Sequence, residues 1–193
     1  MRFTCAIVLF FSALLFNFSC TQQVCEGQVK SLDSLSGALN QKLTEFKQVD
    51  TAILAKAIGK FNNYRQFIKQ NVNDTVNKAE ADFLQQFYSS GQNLVYFSDN
   101  RKNILARGSL INSQIGKLTK DVNSSAIDRE KFSQFYVQEK NNAEQLIKLS
   151  VGQQQLFLGS LQEFRLSLAG IESLIRSRNN GQMPTVIKDS IPL

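Results

Sequence analysis

"FLQQFYSSGQNLVYFSDNRKNILARGSLINSQIGKLTKDV", Phe83 to Val122, is the stretch whose reading decides the fold. Stepping through it by alternating fours and threes lands on Phe83, Phe87, Ser90, Leu94, Phe97, Arg101 and Ile104. The same step continues to Gly108, Ile111, Ile115, Leu118 and Val122. Only Ser90, Arg101 and Gly108 depart from large apolar side chains. An apolar repeat of that period puts one stripe along an α-helix, and a stripe that long requires partner helices to cover it.

Similar stripes lie on either side. Before it come Leu32, Leu35, Leu39, Leu43, Phe46, Ile53, Ala57, Tyr64 and Phe67, widened by Val49, Leu54, Ile58, Phe61 and Ile68. After it come Phe132, Phe135, Tyr136, Ala143, Leu146, Ile147, Leu149, Leu156 and Phe157, then Leu161, Phe164, Leu168, Ile171, Leu174 and Ile175. Stripes wider than a strict two-position seam fit a bundle better than a two-stranded coil. The two prolines, Pro184 and Pro192, stand near the C-terminus, so nothing interrupts a helix before them.

Polar turns divide the body. "NVNDTVN" (71–77) offers Asp74 or Thr75 as a helix cap, and "DVNSSAIDRE" (121–130) offers Ser125. Arg176, Arg178 and Asn180-Gly181 mark a helix end before Pro184. These signals predict helical stretches near 27–71, 75–122 and 126–178. The fold class is all-α: an elongated, coiled-coil-like antiparallel bundle of three helices. Breaks at "KQVDT", where Asp50 or Thr51 would cap a new helix, and at "SSGQ" (89–92) would divide it into four or five helices instead. Interior glycines, Gly91 and Gly108 among them, are read first as sites of close packing and second as points of pliancy.

The N-terminus carries a different message. Met1-Arg2 is followed by "FTCAIVLFFSALLF" (3–16), too short an apolar run to span a bilayer as a helix. This pattern reads as a signal peptide over 1–19. "FNFSC" (16–20) resembles the relaxed lipobox of bacterial lipoproteins. Ser19 suits the position before the cysteine, whereas Phe18 and Asn17 depart from the family's usual residues. The resemblance is confined to these residues. It implies diacylglycerol on the Cys20 thiol, cleavage before it, and membrane anchoring in the cell envelope. Without lipid, Cys20 and Cys25 are close enough in sequence to close a small disulfide loop. The expected organisation is then a signal peptide (1–19), a tether (20–28), a helical bundle domain (29–178) and an extended or disordered tail (179–193).

The 193-residue chain has a formal charge of +6, 15 Phe and neither His nor Trp. Lacking His, it lacks the commonest general base and metal ligand. Glu80/Asp82, Glu139/Glu144 and Glu163/Glu172 do not form the carboxylate and i, i+3 His pattern of a di-iron bundle. No catalytic residue, cofactor or metal site is expected, and the chain reads as a non-enzyme. Arg101, Lys102, Arg107, Lys117 and Lys120 form an acid-free basic segment. It reads as a solvated helix face opposite acids on neighbouring helices rather than a patch for polyanions. No aromatic interleaves with these bases, so no specific nucleic-acid binding is expected. Two formal glycosylation sequons, at Asn73 and Asn123, fall in the expected turns, where Asn and Ser are favoured in any case. The functional expectation is an exported, membrane-anchored lipoprotein with a binding or scaffolding role, through protein partners or self-association. The alternatives are a secreted helical binding protein without lipid, or a membrane-active helical protein.

Overall fold

The computed structural model describes residues 26–72 and 76–184. The signal-peptide, Cys20, Cys25 and Asn73 readings, and the tail beyond Pro184, lie outside these residues. Four helices account for nearly all of the described chain, and it contains no strand. They are α1 (26–47), α2 (Thr51–Asn71), α3 (Lys78–Asn123) and α4 (Arg129–Arg178). Residues 26–28 of the expected tether belong to α1.

The expected first stretch, 27–71, is two helices. Asp50 ends the run: its Oδ1 accepts from the backbone N–H of Ala52 at 2.9 Å and of Ile53 at 3.0 Å, capping α2. The break alters the core pattern. The buried series runs Leu39, Leu43, Phe46, then Leu54, Ala57, Phe61, Tyr64 and Ile68. Phe46 to Leu54 is one residue longer than a heptad step, so Leu54, Phe61 and Ile68 are buried where a strict repeat selects Ile53 and Phe67.

No break occurs at Ser89–Gln92. The hydroxyls of Ser89 and Ser90 both donate to the Gln86 carbonyl, within a continuous helix. The caps of α3 and α4 also differ from expectation. At the start of α3, Asn77 Oδ1 accepts from Glu80 N and Glu80 Oε2 accepts from Asn77 N, a reciprocal capping box. At α4 the cap is Asp128, whose Oδ1 accepts from Lys131 N at 2.8 Å. Ser125 instead takes the left-handed conformation (φ 55°) just beyond α3, where the Ala126 N–H closes onto the Asp121 carbonyl. Asn180 and Gly181 end α4 in the same way, the Gly181 N–H reaching the Arg176 carbonyl at 2.9 Å.

The chain divides into two compact units, and α3 and α4 contribute to both. The first takes in residues 26–44 with Ala106–Lys148. Its core is mostly aliphatic: Leu32, Leu39 and Leu43 of α1, Ile111, Ile115 and Leu118 of α3, and Phe132 and Leu146 of α4. A polar set joins α1 to α3, with Ser36 Oγ donating to Asn112 Oδ1 and Asn112 Nδ2 donating to Asn40 Oδ1. The second unit takes in Glu45–Leu105 with residues 149–184, and its core is aromatic. Phe97 stacks on Phe157 at 4.9 Å between centroids and meets Phe46 edge-on at 5.5 Å. Phe87 packs against Phe61 and Phe164 at 5.2 and 5.5 Å. Ring pairs of this kind stabilise a core beyond the area they bury.

Most of the α3 stripe lies inside as its period required: Phe87, Leu94, Phe97, Ile104, Ile111, Ile115 and Leu118 are all buried, whereas Phe83 at its start is exposed and Val122 at its end is half-buried. On α4, Phe135 and Leu149 are largely exposed instead, and Ser150, Ser160 and Ser167 take inward positions. Close packing explains Gly91 and Gly108. A Cβ on Gly91 would run into the Phe61 ring, and one on Gly108 into Leu43. Gly116 and Gly159 face open space, so packing does not account for them. Gly91→Ala is therefore expected to destabilise the protein by about 1–3 kcal/mol through overpacking. Gly159→Ala should stabilise it by about 0.5–1 kcal/mol through helix propensity. Urea denaturation of the two variants measures both.

Candidate functional site

Cys20, the one residue to which the sequence assigns a chemical modification, lies outside the described residues, as does Cys25. Among the described residues no group of three or more Cys, Asp or Glu side chains converges to hold a metal ion. The polar chemistry concentrates at three places.

The first is a clamp between α2 and α4 in the second unit. Glu172 Oε1 accepts from Lys60 Nζ at 2.9 Å and from Tyr64 Oη at 3.0 Å. The Lys60 hydrogen bond, then that of Tyr64, holds the Glu172 carboxyl below its ordinary value of 4.5, against the opposing effect of its partial burial. Burial, then the hydrogen bond to Glu172, pushes the Tyr64 phenol up to about 12. At neutral pH this is a protonated phenol and an ionised carboxylate, with the Lys60 amine ion-paired to the latter. The set is suited to holding two helices together.

The second is the basic segment of α3. Arg101 has a structural role there, because its Nη2 donates to the Lys47 carbonyl at 3.1 Å and satisfies the C-terminal end of α1. Lys102, Arg107, Lys117 and Lys120 are exposed, and none pairs with an acid among the described residues. Lys102 and Arg101 border a cavity of about 300 Å³ between α2 and α3, floored by Leu54, Ala55, Ile58 and Val95.

The third is a carboxylate that residue type alone does not place in the core. Glu139 follows Tyr136 and precedes Ala143 on the inward face of α4, and only 6% of it is exposed. Its Oε2 has no hydrogen-bond partner among the described residues. The signal is present in the 3-4 spacing, which assigns position 139 to the core whatever residue occupies it. Of the other acids, Glu80 serves the capping box, and Glu144 approaches Lys140 at 3.9 Å. Asp82 and Glu163 are exposed. Asn123 of the second sequon is exposed as the last residue of α3.

A second cavity system lies between α2 and α4. Two adjoining hollows of about 510 and 310 Å³ share Ile53, Leu161 and Arg165. Its border carries Lys56, Lys60 and Arg165, and Leu158 projects from it with 57% of its surface exposed.

Two tests follow from these polar groups. A carboxyl lowered in the folded state contributes stability above its unfolded value, lost as pH falls. A phenol raised in the folded state contributes stability below its unfolded value, lost as pH rises. The clamp should therefore weaken below about pH 4.5 as Glu172 takes up a proton, and between pH 10 and about 12 as Tyr64 loses one. Tyr64→Phe should cost about 1 kcal/mol at pH 7. It should also reduce the alkaline loss in a series of denaturation curves against pH, leaving the part that belongs to Tyr88, whose phenol burial also raises. Glu139→Met should stabilise the protein by about 1–3 kcal/mol by replacing a buried carboxylate, one oxygen of which lacks a partner, with an apolar side chain. Thermal unfolding beside the parent chain checks it. No protein-family model, no curated protein and no solved structure matches this chain.

Proposed function

We propose that this chain is a bacterial cell-envelope lipoprotein, anchored through an acylated Cys20. Its helical body works by binding or scaffolding rather than catalysis. The observation that carries the reading is the N-terminal stretch itself: a positive start, the apolar run 3–16, and Ser19-Cys20 directly after it. Five residues, 21–25, separate Cys20 from the helical residue at 26, so the tether in this reading is short. Among the described residues no helix is long and apolar enough to cross a membrane.

The helices of each unit are proposed to pack as an antiparallel bundle. Contacts inside each unit support that direction. In the first, Ser36 meets Asn112 while the later Leu43 lies against the earlier Gly108. In the second, Phe46 meets Phe97 while the later Phe61 meets the earlier Phe87. The non-enzymatic reading is supported by the Lys60–Tyr64–Glu172 set, whose groups are engaged with one another.

The deciding measurement is the intact mass of the N-terminal fragment from protein made with its own signal peptide in a bacterial host, beside a Cys20→Ala variant. The expected fragment begins at Cys20 and carries the added mass of lipid, which the variant lacks. An unlipidated fragment would overturn the anchor. A mass two hydrogens short across Cys20 and Cys25 would then identify a secreted form closed by a disulfide.

A further inference from the structure

We infer that the trough between α2 and α4 in the second unit receives one amphipathic α-helix of a partner polypeptide, with carboxylates bordering its apolar stripe. This rests on the reading of the chain as a binding protein and supplies a surface for it. It makes no use of Cys20, so the anchor and the trough stand or fall separately.

Both walls of the trough are helices. On α4 it is lined by Gln154, Phe157, Leu158, Leu161, Phe164, Arg165 and Leu168, and on α2 by Ile53, Lys56, Ala57 and Lys60. A groove between two helices is a seat into which the side chains of a third can pack. Phe157, Leu161 and Phe164 belong to the buried core, and Leu158 stands exposed beside them. From 154 to 168 the trough runs about 21 Å, room for roughly four turns of a partner helix.

Charge selects the kind of helix. Lys56 and Arg165 border the apolar strip, and neither pairs with an acid among the described residues. Lys60, beside them, is engaged by Glu172. The acids at the other end of the trough are Glu45 and Asp50, and the Asp50 carboxylate already caps α2. A partner helix thus finds an apolar floor with positive margins over Lys56 and Arg165. Acidic residues flanking its stripe complement those margins, and lysines there would be repelled.

The test uses two labelled helical peptides of about 18 residues, both with Leu at the a and d positions. One carries Glu and the other Lys at the flanking positions. Each is titrated by fluorescence anisotropy against the full chain, held in a nanodisc if it carries lipid and in buffer if it does not. The Glu peptide is expected to bind at least tenfold more tightly than the Lys peptide. Leu158→Asp, at an exposed position where folding is not at stake, should weaken it at least tenfold. Lys56→Glu with Arg165→Glu should reverse the preference. Equal affinity for the two peptides, or no binding of either, overturns the proposal. So does dodecanoate binding that Leu158→Asp abolishes, which would make the trough a lipid site. A dimer of the chain alone that Leu158→Asp dissociates would assign the trough to a second copy, and overturns it equally.

Discussion

The structure turns on how the chain satisfies its backbone at residues 48–50. A helix that stops leaves carbonyls without partners, and a helix that starts leaves amides without partners. Side chains answer part of each set here. Asp50 accepts from the first amides of α2, and Arg101, reaching across from α3, donates to the last carbonyl of α1. Arg101 is the one charged member of the α3 seam. Its presence in an otherwise apolar stripe is explained by the gap in the helix it faces. The extra residue between Phe46 and Leu54 moves Ile53 off the core and onto the flank of α2. There it becomes part of the trough against α4. A local capping choice thus governs both the core pattern and the shape of the surface.

Much of this is legible in the sequence, because the strongest signals are periodic. The α3 stripe can be read residue by residue from Phe87 to Leu118. It is buried because a continuous helix keeps its register over any length. Register fails where continuity fails. Beyond Asp50 the strict repeat selects Ile53 and Phe67, while Leu54, Phe61 and Ile68 are inside. The turns are legible too, but their capping residues are not, since Asn77 and Asp128 stand among several side chains of equal local merit. Which one caps depends on how the helices meet, and that is set by packing rather than by neighbours in sequence. Glu139 misleads for the opposite reason: a carboxylate argues for solvent, its place in the spacing argues for the core, and position prevails.

The polar residues with the look of chemistry are mostly occupied with architecture. Glu172, Tyr64 and Lys60 fasten α2 to α4, Glu80 completes a capping box, and Arg101 closes a helix end. What is left over is surface: an apolar trough, its basic margins, and exposed lysines along α3. Recognition by helix faces is the work we propose for this arrangement. The two units are also built differently, one around stacked aromatic rings and the other around aliphatic side chains with a carboxylate among them.

The double capping at the α1–α2 break has one more consequence. The Lys47 carbonyl at the end of α1 is met by Arg101 of α3 and the first amides of α2 by Asp50, while the Gln48 N–H donates to the Glu45 carbonyl, so each helix end is satisfied on its own side of the Gln48–Val49 bond. Gln48 and Asp50 are exposed, and the connection has no regular structure to lose. This is the place where the backbone can be lengthened or severed with least disruption. A reporter domain spliced in after Gln48 would leave both caps in place. So would a split into two polypeptides that reassemble as α1 returns Leu32, Leu39, Leu43 and Phe46 to the core. The feature that separates α1 from α2 therefore also makes a natural point of entry for engineering the molecule in two pieces.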